Sequence, residues 1–166
     1  MEITDIGLAV LRCWAGVVML AHGINHARNQ EGTATWFAKV GYKSPELNAR
    51  LSSLTEIAVG LGLLAGLLTT VAAAGLASIM AVAFWSIHRF AGFFVFNRPT
   101  EGYEYVTTMA VVALVIAIFG PGGISLDAVI GTDLDGLVGA GIFGLGIVAA
   151  AGQLAMFWRR PVKENA

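Results

Sequence analysis

Three histidines and two carboxylates stand out because the sequence around them is otherwise apolar. His22 and His26 are spaced i, i+4 and so share one helical face. Glu56 is followed by Ile57, Ala58, Val59 and Leu61, which offer it nothing polar. His88 precedes Arg89, and Glu104 opens a later apolar run. Imidazoles and carboxylates in one place support three chemistries. They hold zinc, copper or non-haem iron, for which the ligand set here would be His22, His26, His88 and Glu56. A histidine from each of two helices holds a haem. A His–Glu pair beside a quinone headgroup passes protons. The plain structural alternative is a network of ion pairs that fastens helix ends, with His88 and Arg89 beside Glu104. No HxxE, HExxH or cysteine-ligand motif sharpens the metal reading.

The elements that must position these groups are long apolar segments. The chain has 166 residues, 57% of them hydrophobic and 13% charged, with 21 glycines and a net charge of −1. A soluble domain needs more charge to cover its surface, and nothing in this balance points to nucleic acid. The expectation is a single all-α domain, a polytopic transmembrane helical bundle. Five stretches approach the roughly 20 apolar residues that cross a bilayer: 6–25, 51–68, 71–88, 103–119 and 134–158. Ser44-Pro45 reads as a helix start, Thr69-Thr70 as a tight connection, and Gly120-Pro121-Gly122-Gly123 as a stop. The acidic start, Met1 to Asp5, lacks the basic n-region of a signal peptide, so the first apolar run reads as retained.

Charge sets the expected orientation. Arg28, Lys39, Lys43, Arg50, Arg89, Arg98, Arg159, Arg160 and Lys163 fall on one side of a five-span layout, and only Arg12 is associated with the other. The positive-inside rule then puts the N-terminus outside, the C-terminus in the cytoplasm, and Asp127, Asp133 and Asp135 outward. Histidines 22, 26 and 88 with Glu56 and Glu104 share the cytoplasmic third in this layout. Arg12, six residues into the first span, reads as snorkelling to the outer surface or as buried beside Cys13. The single cysteine offers no disulfide, and its role stays open. Residues 33–42 are expected along the inner interface, and the aromatic run Phe90 to Phe96 to dip into the leaflet or cover a gap between helices. Gly62 with Gly66, and Gly136, Ala140 and Gly144, follow small-xxx-small spacing. Gln153 is expected to bond a neighbouring helix.

The same residues carry a resemblance. Arg12, His22-Gly23, Glu56 followed by Gly60 to Thr69, His88 with Gly92-Phe93-Phe94, Gly102 to Tyr105 and Gly120 to Asp127 occur in this order. In this the chain resembles the DoxX family of small bacterial membrane proteins. The resemblance implies a four-helix membrane core, here with a fifth C-terminal helix added, in the bacterial inner membrane. Family members are linked to membrane redox chemistry, one branch resembling the membrane subunit of a thiosulfate:quinone oxidoreductase. Many relatives carry Lys four residues after the first histidine, where this chain has His26.

The leading expectation is therefore a redox-associated membrane subunit, part of a quinone-linked oxidoreductase, that binds a quinone or similar molecule. Glu56 with His22 or His88 would handle the proton, Glu104 and Arg89 would tune them, and Phe93 and Phe94 would wall the site beside His26. A soluble or membrane partner would supply electrons, and the fifth helix would dock that partner or a second copy. The rival expectation is a non-catalytic assembly or scaffold protein whose buried charges only fasten the bundle. A small-molecule carrier is a third, disfavoured by the absence of an internal repeat.

Overall fold

The computed structural model describes residues 2–97, 101–132 and 134–161. Arg98, Asp133 and Lys163, which entered the charge count above, lie outside them. The chain is all-helical: α1 (Ile3–Arg28), α2 (Gln30–Lys39), α3 (Pro45–Ala65), α4 (Thr69–Ser86), a 3-10 turn (His88–Phe90), α5 (Glu104–Phe119), α6 (Leu126–Ile130) and α7 (Gly136–Phe157). Among the described residues the one β feature is an isolated antiparallel bridge between Tyr42 and Trp158. Helices α1, α4 and α7 are each long and apolar enough to cross a membrane, and α5 is a shorter apolar helix. Large apolar side chains cover the outside, including Val10, Leu54, Val111, Phe119 and Leu137. So much exposed apolar surface requires lipid or protein around it.

Close helix contacts depend on missing side chains. A Cβ on Gly16 would sit 2.9 Å from the carbonyl oxygen of Gly60, so α1 and α3 meet backbone to backbone. Gly146 does the same for α7, where a Cβ would lie 2.3 Å from the Ala74 oxygen of α4. Between these layers Met19, Leu63, Leu76, Ala113 and Ile116 form a fully packed centre.

The α3–α4 connection differs from the expected Thr69-Thr70 turn. Helix α3 ends at Ala65, Gly66 takes the left-handed conformation at φ 64°, and Leu68 follows it at φ 49°. Thr69 and Thr70 already belong to α4 and are buried. Asp127 holds this turn. Its carboxylate accepts from the backbone N–H of Leu68 and of Thr69, both at 2.8 Å, and its own N–H donates to the Gly66 oxygen. It thus satisfies the free N–H groups at the start of α4, where a negative charge also meets the favourable end of the helix dipole. Asp127 is 3% exposed, so its side chain serves this turn and not solvent.

Arg12 completes the same end. Its guanidinium donates to the Leu63 oxygen, to that of Leu64 at 3.1 Å and to that of Ile124 at 2.6 Å. It is buried, so the snorkelling reading is corrected. The side chain occupies the carbonyl end of α3, where a cation is favoured, and ties that end to the segment before α6. Gly66 leaves room for it, since a Cβ there would lie 2.7 Å from Arg12 Nη1. Gly66 is therefore part of the turn and not of a helix-packing face.

At the opposite end, residues 91–97 cap α5. The oxygens of Gly92, Phe93 and Phe94 accept from the N–H groups of Tyr103, Glu104 and Gly102. These donors precede or begin α5 and have no partner within the helix. The residues after α2 pair with the end of α7 through Lys43 N–H to the Phe157 oxygen and Arg159 N–H to the Gly41 oxygen. Gln153 of α7 donates to Asn48 Oδ1 of α3 at 2.9 Å, which is the interhelical bond expected for it.

Candidate functional site

One turn of α1 and one of α3 bring together the central pair. A Cβ on Gly23 would lie 2.9 Å from that of Glu56, so its absence lets the two helices touch at the histidine level. His26 Nδ1 then stands 3.0 Å from Glu56 Oε2. Ser52, one turn before Glu56 on α3, donates to Oε1 at 2.8 Å. Glu56 is 4% exposed, and both of its oxygens have partners. A carboxylate in such surroundings needs them, because an unpaired buried charge costs several kcal/mol, about 3–5 when one partner is removed. The partner is His26 and not the His22 or His88 expected to share a proton with Glu56. His26 follows Gly23, where α1 touches Glu56 and Ile57 of α3, by three residues, whereas His22 stacks on Tyr105 of α5.

These residues form one wall of a cavity of about 390 Å³ between α1, α3, α4 and α5, with α2 at its base. His22 and His88 line it too, as do Tyr105, Ser86 and Gln153. His22 stacks on Tyr105 with ring centres 5.9 Å apart, and meets His26 edge-on at 6.3 Å. His88 Nδ1 is 2.7 Å from the Glu101 oxygen, which fixes that ring. Trp36, Phe37 and Tyr42 close the base. Burial pushes the Tyr42 phenol above its ordinary range, so it is a neutral donor to Ser86 Oγ at 3.2 Å. Of the buried polar atoms lining the cavity without a hydrogen bond, His26 Nδ1 and Glu56 Oε2 face each other as the ion pair, and Tyr105 Oη and Gln153 Oε1 have no partner. Groups left so in a native fold call for a partner.

Sequence and structure part company over the rest of the expected site. Arg89, Phe93, Phe94 and Glu104 do not line this cavity. The 3-10 turn at His88–Phe90 swings the chain away, so Arg89 lies over Trp85 at 3.9 Å and Phe90 at 4.4 Å. Phe93 packs edge-on against Tyr103, and Phe94 stacks on Phe96. Glu104 accepts from the Val95 N–H at 3.1 Å, within the cap of α5. Its neighbour Tyr105, about 100° further round the helix, is the one that turns inward. Nor do the expected metal ligands converge. Among the described residues no three His, Cys, Asp or Glu side chains are placed to hold one ion.

Tyr105, Ser52 and Gln153 line the cavity although the sequence alone does not assign them to the site. Ser52 carried a usable signal, lying i−4 from Glu56 on the same face. Tyr105 and Gln153 carried none, because only the tertiary arrangement points them into one space.

An apolar helical bundle with a buried His–Glu pair in a half-open cavity is an integral membrane protein with an interior polar site. A family model described as DoxX matches residues 7–89, half of the 166, and the chain belongs to the DoxX family. The matched stretch contains Arg12, His22, His26, Glu56 and His88, whereas Tyr105 and Gln153 lie beyond it. Comparison with curated proteins and with solved structures gives no match.

Proposed function

We propose that this DoxX-family protein binds a quinone or similar hydrophobic redox molecule in the cavity at His26 and Glu56, as the membrane subunit of a quinone-linked oxidoreductase. The observation that carries the reading is the His26–Glu56 pair in the wall of a largely apolar, 390 Å³ cavity whose Tyr105 hydroxyl and Gln153 oxygen lack protein partners. That volume lies within the roughly 300–1,000 Å³ of small-molecule sites. A quinone carbonyl is an acceptor, for which Tyr105 is the donor. Its reduction to the quinol takes two electrons and two protons. The electrons come from a partner protein, and the protons pass through the His26–Glu56 pair, with His22 and His88 also lining the cavity.

The topology proposed is five spans in the bacterial inner membrane as one domain, N-terminus outside and C-terminus in the cytoplasm. Lys43 and Arg159 lie at the same end of the bundle, joined through the 41–43 and 157–159 pairing, which supports this layout. The fifth span, α7, would receive the partner or a second copy of the chain.

The scaffold reading has one observation in its favour: Arg12 and Asp127 are buried charges that only fasten. The experiment that separates the readings uses protein purified in mild detergent, with His22→Ala and Glu56→Gln beside it. Extractable quinone, metal content and visible absorbance are measured together with thermal stability. Stoichiometric quinone lost from folded variants is the expected result. An empty wild type, with variants that merely melt earlier, would discard the site.

A further inference from the structure

We propose a second binding site: the open groove between α4, α5 and α7 holds an anionic phospholipid, with an acyl chain in the groove and the phosphate on Arg159 and Arg160. The groove encloses about 800 Å³ and is lined by apolar side chains, among them Phe84, Ala110, Ala151 and Leu154, and ends at the two arginines. Among the described residues no acidic side chain lines it. From Ile147 to Trp158 along α7 it extends about 16 Å at 1.5 Å per residue, roughly half of a 30 Å hydrocarbon core. That is one leaflet's depth, with the charge at the headgroup end.

The charged end is built from side chains on three segments. The Arg160 guanidinium lies 4.7 Å from the Phe90 ring centre, and Arg89 lies over the same ring and over Trp85. Arg89 uses Nε on the Trp85 oxygen, and Arg159 uses Nη1 on the Ala155 and Trp158 oxygens, which leaves the other nitrogens of both free to donate outward. Among the described residues the one ion pair is His26–Glu56, and none of their carboxylates pairs with these three cations. Two guanidinium groups held over rings, with that of Arg159 beside them at the mouth of an apolar groove, match a phosphate attached to a hydrocarbon chain. The site is separate from the cavity above. Met80 and Val106, both buried, border the two spaces and form the wall between them.

Trp85 and Trp158 line the groove and report on it directly. With Trp14 and Trp36 replaced by Phe, the protein is reconstituted in phosphatidylcholine vesicles containing brominated phosphatidylglycerol or brominated phosphatidylcholine. Half-quenching is expected at about tenfold lower mole fraction of the brominated phosphatidylglycerol. Arg159→Gln with Arg160→Gln should remove this preference. Ala151→Phe, which fills the groove and keeps both arginines, should remove it too, and Ala155→Phe serves if that variant does not fold. Equal quenching by the two lipids would overturn the proposal. A preference that survives either the filled groove or the loss of both arginines would overturn it as well, since each half of the site is then dispensable.

Discussion

Arg12 and Glu56 are both buried charges in apolar helices, yet they sit in opposite surroundings. Arg12, with Asp127 nearby in the fold, is surrounded by backbone: three carbonyls on one side chain, two N–H groups on the other. About 14 residues along α1, some 21 Å away, His26 meets Glu56 side chain to side chain, and the space beside them is open. A charge matched to the ends of helices fixes a turn and leaves no capacity for a ligand. A charge matched to another side chain beside a cavity is the one that the proposed function uses. Burial alone does not separate a fastening charge from a working one; the nature of its partner does.

That comparison is broken most directly at Arg12. Replacement by Met removes a cation and strands three carbonyls, which should lower stability by about 3–5 kcal/mol. Thermal unfolding in mild detergent measures it, and a loss under about 1 kcal/mol would mean that this end does not hold the fold. Asp127→Asn keeps one acceptor and loses the other, leaving Leu68 or Thr69 with an unpaired N–H. The expected loss is smaller, about 1–3 kcal/mol by the same measurement. If it equals the wild type, Leu68 reaches its left-handed conformation without help from this cap.

Much of the difference at the histidine end is legible in the sequence. Helix direction alone groups His22, His26, Glu56, His88 and Glu104 by depth, and all of these but Glu104 line one cavity. Depth says nothing of rotation about a helix axis. Glu104 and Tyr105 stand at one depth, yet only Tyr105 turns inward. The same gap hid the role of Gly16 and Gly60, whose contact sets the α1–α3 face, behind the more regular Gly62 and Gly66 spacing. At the other end, Arg12 and Asp127 are 115 positions apart, and nothing local reveals that both seal one turn. A carboxylate whose partners are backbone N–H groups leaves no pairing signature in side-chain types.

At the cavity the variants should affect binding and spare the fold. Glu56→Gln keeps the Ser52 acceptor and offers His26 an amide, so stability should stay within about 1 kcal/mol of wild type while quinone binding is lost. A stability loss as large as that of Arg12→Met would place Glu56 with the fastening charges and erase the contrast. Tyr105→Phe is a finer test. Its hydroxyl has no protein partner, so deleting it should leave the empty protein unchanged, or slightly more stable. If that hydroxyl donates to a quinone carbonyl, affinity should fall about tenfold, the equivalent of roughly 1.4 kcal/mol. Unchanged affinity in a quinone titration would remove Tyr105 from the site and leave His22 or His88 as the donor.

The smallest expected effect on the isolated chain is at α7, and its size is what makes it informative. Gly139 and Gly146 lie against Ala117 and Ala74, so they hold α7 to α5 and α4 within this chain. Gly144 meets nothing within 4 Å, and Leu137, Leu145 and Val148 are exposed along the same helix. Gly136, also open, has φ 56° and would be strained by any side chain, which leaves Gly144 as the cleaner position. Gly144→Leu should not lower the melting temperature of the purified monomer, since the added side chain enters open space and leucine is the better helix former. A partner or second copy seated on that face would be displaced by it, and size-exclusion of the native complex would show the loss while quinone stays bound. An intact complex would mean that α7 is held by its own chain alone, and that partners approach the bundle from another side.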